Sequence, residues 1–134
     1  MKIFDKVREV APDQLTKIRL IKGDIAEENL DVDPEDEEEL INNLHIIFHC
    51  AAKAKFSLTL REALNFNTCG TLRVLQLAEK IKNLVVFSHI STSYCCPNEK
   101  VLEERYHAAC EDPYTVIKLL KSPHQKDLDD AEPR

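Results

Sequence analysis

At 134 residues, 43% of them hydrophobic and 31% charged, the chain has room for one domain with a modest core. Its formal net charge of -6 argues against a general nucleic-acid surface and against an anionic-membrane surface. No apolar run comes near the roughly 20 residues of a membrane span, and the first residues hold no apolar core of signal-peptide length, so an intracellular chain is expected.

A first helix is predicted over residues 3–10, stopping before Pro12. Three short stretches rich in Ile, Val, Leu and Phe then read as buried parallel strands: residues 17–22 (KIRLIK), 44–48 (LHIIF) and 84–89 (LVVFSH). A second helix begins with Asp33 as N-cap and Pro34 in the first helical position. It has Glu35, Asp36 and Glu37 in the first turn, where the helix dipole favours them. The acidic run 31–39 is therefore read as a solvated helix start rather than a partner-binding patch.

The longest helix is predicted over residues 60–81, with an apolar stripe of Leu60, Leu64, Val74, Leu75, Ala78 and Ile81. Asn67 and Thr71 fall on that stripe, and Gly70 sits mid-helix. A core-facing carboxamide must find partners or cost roughly a few kcal/mol, and a mid-helix glycine costs about 1 kcal/mol against alanine. Both choices in one turn point to a close neighbour or a functional group. Beyond Tyr94 a short helix is expected over 99–106 and another from Pro113 to about Lys121. Residues 122–134 form a polar tail expected to be disordered.

The five cysteines include the adjacent pair Cys95-Cys96 and no C-x-x-C spacing. They read as reduced, structural residues, and no His/Cys set has metal-ligand spacing.

Strands alternating with helices imply right-handed crossovers and one parallel α/β sheet, whose ligands sit beyond the carboxyl ends of the strands. Gly23-Asp24 follows the first strand, where a carboxylate can accept from an adenine amino group; taken alone it is a common turn. Ala51-Ala52 follows the second, and side chains this small admit a ribose or nicotinamide ring; tight helix–sheet packing explains them equally well. Ser91-Thr92-Ser93 follows the third, where a hydroxyl can donate to a carbonyl oxygen gaining charge; a hydrophilic loop is the plainer explanation. His49, within an apolar run, is read as a hydrogen-bonded core histidine. The chain's two glycines, Gly23 and Gly70, lie far apart, so no stretch of it cradles a pyrophosphate on closely spaced glycines.

In this order, GDI (23–25), FHCAA (48–52), N-x-x-GT (67–71) and HISTSY (89–94) resemble the extended short-chain dehydrogenase/reductase superfamily, and within it the NAD-binding domain of fatty acyl-CoA reductases. Cys95, Lys82-Asn83-Leu84, the segment 4–8 and Asp112-Pro113 resemble that domain as well, so the likeness runs to about Lys121. It implies a partial Rossmann-like sheet of about three inner strands with flanking helices over residues 1–121. Asp24 and Ile25 would lie near the adenine, and Ala51, Ala52 and Lys53 would line the cofactor groove. Asn67 would sit on the catalytic helix, and Thr92 with Ser91 would hold the carbonyl-polarising position. The implied reaction takes a long-chain fatty acyl-CoA through an aldehyde to a fatty alcohol with NADPH. The family's general acid is a tyrosine four residues before a lysine. Peroxisomal or endoplasmic reticulum membrane association is implied too, though not encoded in this chain.

The family's glycine-rich loop is expected before Met1 and its Tyr-x-x-x-Lys pair beyond the matched region. Tyr114 and Lys118 have that spacing and are read as coincidence. The expectation is therefore a fragment that is inactive alone, with an uncovered sheet edge that leaves homo-oligomerisation open. Two rival readings stand beside it. One is a non-catalytic interaction module pairing with a full-length reductase; the other is a generic α/β domain whose polar residues only pack.

Overall fold

The computed structural model describes residues 3–55, 57–92, 94–96, 99–105, 107 and 111–120. Helix starts follow the local signals. Helix α1, Asp5–Val10, opens on Asp5, which pairs with Arg8 at 3.0 Å. A 3-10 turn, Pro12–Lys17, follows at the proline. Helix α2, Pro34–Asn43, has proline first and three acids in its first turn. Asp33 occupies the N-cap backbone position, yet its side chain makes no capping hydrogen bond. The acidic face of α2 also does more than face water: Asp36 and Glu39 pair with Arg19, and Glu37 with Lys80 at 2.8 Å. Exposed pairs of this kind contribute up to about 1 kcal/mol each, so they fix the placement of residue 19 more than they stabilise the fold.

Among the described residues the sheet is parallel and has two strands, β1 (Ile46–His49) and β2 (Val86–His89), paired Ile46 to Val86 through His49 to His89. Each begins two residues later than the sequence pattern suggests. The third expected strand, residues 17–22, is not one: Lys17 ends the 3-10 turn and residues 18–24 belong to no helix or strand. An apolar β-branched run becomes a strand only where a neighbour accepts its ladder. Here β1 is paired to β2 alone, while Arg19 ties the segment to α2.

The long helix is built in three parts. Helix α3, Leu60–Ala63, is opened by a capping box in which Thr59 accepts from the Glu62 N–H and Glu62 accepts from the Thr59 N–H. A π turn, Leu64–Cys69, follows, and α4 runs Gly70–Lys80. Gly70 is a close-approach glycine, since a Cβ there would lie 3.2 Å from Ile25 Cδ1 and 3.3 Å from the Ile25 carbonyl oxygen. Among the described residues, Leu30, Leu64, Cys69, Ala78 and Ile81 are the buried apolar ones. Cys69 thus serves as a small core hydrophobe, whereas Cys50 and Cys95 are exposed.

Side chains alternate across the sheet. Ile47, His49 and Phe87 turn inward, whereas Ile46, Phe48 (70% exposed) and Val86 form an apolar face left in water. The expected helix over 99–106 is absent among its described residues. The Glu103 carbonyl is taken by the Arg105 N–H at 2.8 Å and the His107 ring at 3.1 Å, a tight local turn; Tyr106 lies outside the described residues. Helix α5, Pro113–Leu120, is capped by Asp112, whose carboxylate accepts from the Thr115 and Tyr114 N–H groups. Its expected end at Lys121 and the 122–134 tail lie outside the described residues. Among those described, no helix is long and apolar enough to cross a membrane.

Candidate functional site

Beyond the carboxyl ends of β1 and β2 the chain opens into a cleft of about 570 Å³. Ala51, Ala52, Lys53, Asn67, Ser91 and Thr92 all line it. Ala54, Leu58, Ala63 and Ile90 add to a mainly apolar wall, with Tyr94 and His89 at its β2 end. Thus three segments named from the sequence meet at one hollow. Asp24 and Ile25 do not line it, and Ser93 lies outside the described residues.

Asn67 satisfies its carboxamide against the loop after β1. Its Nδ2 donates to the Lys53 carbonyl at 3.1 Å, and its Oδ1 accepts from the Lys53 N–H at 2.9 Å. This reciprocal clasp meets the hydrogen-bonding demand of an amide on a core-facing stripe. It also fixes the backbone of a residue in the cleft wall. The Lys53 ammonium lies 3.1 Å from the Phe66 ring centroid, a cation–π contact that holds its side chain.

A second chain of bonds runs inward from Thr71, which also lines the cleft. Thr71 Oγ1 donates to the Asn67 carbonyl at 2.7 Å and sits 3.0 Å from His49 Nε2. A carbonyl only accepts, so the hydroxyl proton is committed to it. The threonine lone pair then receives the His49 Nε2–H, which sets the tautomer. His49 is the buried polar residue of the core, and burial holds its pKa below the ordinary 6.5, with the stacked His89 ring pushing the same way. His49 is therefore a neutral, hydrogen-bonded core histidine.

Thr92 accepts from the Tyr94 N–H at 3.2 Å, a local turn bond, and among the described residues its own O–H has no acceptor. Asp24 closes on its own loop: Oδ1 accepts from the Ala26 N–H at 2.8 Å, and the Asp24 N–H donates to the Leu30 carbonyl at 2.7 Å. Ile25 packs on Gly70. Tyr114 and Lys118 stand one turn apart on α5, exposed and away from the cleft lining. The sequence reading missed Asn65 and Arg73, which hold the 25–26 backbone. It also missed the Thr59/Glu62 cap, which an S/T-x-x-E pattern signals.

Whether these residues fit a nicotinamide dinucleotide has a divided answer. The alanine-walled cleft with a hydroxyl at its rim fits the ring end. Neither glycine is open to a phosphate: a Cβ at Gly23 would lie 2.9 Å from the Leu30 carbonyl oxygen, and Gly70 abuts Ile25.

Comparison with known proteins bears on the same question. Residues 1–133 match the family of NAD-binding domains described as male sterility protein. The chain is 37% identical to fatty acyl-CoA reductase 1 of Xenopus laevis over 133 residues, which cover 99% of this chain and 26% of that protein. It is 38% identical to fatty acyl-CoA reductase 1 of Homo sapiens over 120 residues, covering 90% of this chain and 23% of that protein. Fatty acyl-CoA reductase 2 of Homo sapiens is 35% identical, covering 99% and 26%. The chain thus spans about a quarter of the length of these relatives. An α/β chain with a parallel sheet, a cleft beyond its strand ends and this breadth of similarity belongs to the NAD-binding domain family of the fatty acyl-CoA reductases.

Proposed function

We propose that this chain forms the ring-binding part of an NADPH-dependent, alcohol-forming fatty acyl-CoA reductase acting on long-chain acyl-CoA. The observation that carries the reading is the convergence of Ala51, Ala52, Asn67 and Thr92 on one cleft beyond β1 and β2. Ala51 and Ala52 would leave room for the ring, and the Asn67 clasp on Lys53 keeps that wall in place. The O–H of Thr92, with Ser91 beside it, donates to the carbonyl oxygen of the acyl group as negative charge grows there. A bound nicotinamide supplies hydride. Asp24 keeps Oδ2 for the adenine amino group, since Oδ1 is taken by Ala26.

The 134-residue polypeptide by itself is proposed to have no useful turnover, because neither glycine opens toward a pyrophosphate. Two measurements test this. Reduced nicotinamide mononucleotide added to the isotope-labelled chain is expected to shift the Ala51, Ala52 and Thr92 resonances, and no shift would refute the site. Assay of the purified chain with NADPH and a long-chain acyl-CoA is expected to yield no aldehyde or alcohol; sustained product formation would refute the inactivity.

The bare apolar face of Ile46, Phe48 and Val86 favours a second reading, in which the chain pairs with a full-length reductase and alters its activity. Mixing the two and finding neither activity nor stability changed would remove it. An intracellular location goes with either reading and is tested by cell fractionation.

A further inference from the structure

The π turn Leu64–Cys69 holds a different loop on each flank. Residues 65 and 67 are two apart, so their side chains leave the helix on opposite sides. On one side Asn67 clasps Lys53 at the cleft. On the other, Asn65 Nδ2 donates to the Ala26 carbonyl at 3.4 Å. Arg73, a half-buried residue on α4, reaches back to join it. Its Nη1 donates to the Ile25 carbonyl at 2.9 Å and to the Asn65 carbonyl at 3.1 Å, and its Nη2 donates to Asn65 Oδ1 at 3.0 Å. No carboxylate among the described residues pairs with Arg73, so its charge strengthens bonds to neutral acceptors. Arg73 lines no part of the cleft.

The peptide plane links this guanidinium to Asp24. The Ile25 C=O and the Ala26 N–H belong to one planar trans peptide and point in opposite directions. Arg73 draws that carbonyl toward α4, which turns the Ala26 N–H to Asp24 Oδ1, 2.8 Å away. One carboxylate oxygen is thereby held, and among the described residues the other has no partner.

We propose that Arg73, with Asn65, is a positioning residue that aims the Asp24 carboxylate through the 25–26 peptide, serving the adenine half of a bound dinucleotide and not the ring half. The inference rests on the dinucleotide reading above.

The test titrates the 134-residue chain separately with adenosine 2′,5′-bisphosphate and with reduced nicotinamide mononucleotide, following both by NMR. Arg73→Met is expected to weaken the adenosine half about ten-fold, the scale of one or two lost charge-assisted hydrogen bonds, and to leave the ring half within about two-fold. Amide exchange is expected to quicken at Ala26 and stay unchanged at Lys53. Arg73→Lys keeps one charged donor and is expected to recover part of the loss. In an Asp24→Asn background, Arg73→Met is expected to add little, because its effect passes through that carboxylate. Equal losses on the two halves, no loss on either, or fully additive effects of the two substitutions would each overturn the proposal. Binding of neither half by the unsubstituted chain would overturn the dinucleotide reading itself, and is seen before any variant is made.

Discussion

Asn67 is where a buried-side polar residue does two jobs with one group. Replacing it with leucine removes both bonds to Lys53, and the expected cost is about 1–2 kcal/mol in a denaturant titration, at the level of two modest hydrogen bonds. A gain in stability would show that the amide is a burden, as a purely packing role implies. Thr71 joins His49 to the Asn67 carbonyl, so Thr71→Val is expected to destabilise by about 1–2 kcal/mol, while Thr71→Ser keeps both bonds and most of the stability.

His49 also sets a pH signature. Its folded pKa lies below the ordinary 6.5, so the unfolded chain binds the proton more readily. Its contribution is therefore full above about pH 6.5 and drains as pH falls through the folded value. His49→Gln is expected to flatten that part of a stability-versus-pH curve; an unchanged slope would show that the buried ring does not produce it. Asp112, lowered by its bonds to Thr115, and Glu62, lowered by its bonds to Thr59, follow the carboxylate sense. Their caps are kept above the ordinary carboxylate range and lost at more acid pH.

Elements were legible where their signals are local. Pro34 with its acids, the apolar stripe of residues 60–81 and Asp112-Pro113 each mark a helix that forms. Strand 17–22 was misread because a strand needs a lateral partner that no local pattern supplies. The π turn was hidden as well, since one extra residue in a turn barely disturbs an apolar stripe. At the cleft, Ala51, Ala52 and Thr92 were readable from their place after predicted strands and Asn67 from its place on the helical stripe, whereas the hold of Asn65 and Arg73 on the 25–26 loop was not readable. Their partners are main-chain carbonyls 39 and 48 residues away, invisible to spacing.

Gly23 tests the element scale. It lets the left-handed turn Asn29–Asp31, three residues with positive φ, seat its Leu30 carbonyl against residues 23 and 24. Gly23→Ala is expected to cost about 1–3 kcal/mol, because the obstructing atom is backbone and cannot swing aside. A neutral result would show that the turn moves freely.

The whole molecule is defined as much by what it leaves wet as by what it buries. Among the described residues five apolar ones form the buried set, while Ile46, Phe48 and Val86 lie exposed on one side of the sheet. Phe48→Asp is expected to reduce self-association of the chain in sedimentation, and an unchanged distribution would show that this face is not adhesive. Apolar groups hydrated before unfolding add nothing to the heat-capacity change when the chain comes apart. Scanning calorimetry should therefore find a step below the ordinary 12–15 cal/mol/K per residue, and a flatter stability curve with it. Should that step grow with protein concentration, the missing hydration change is being recovered between molecules.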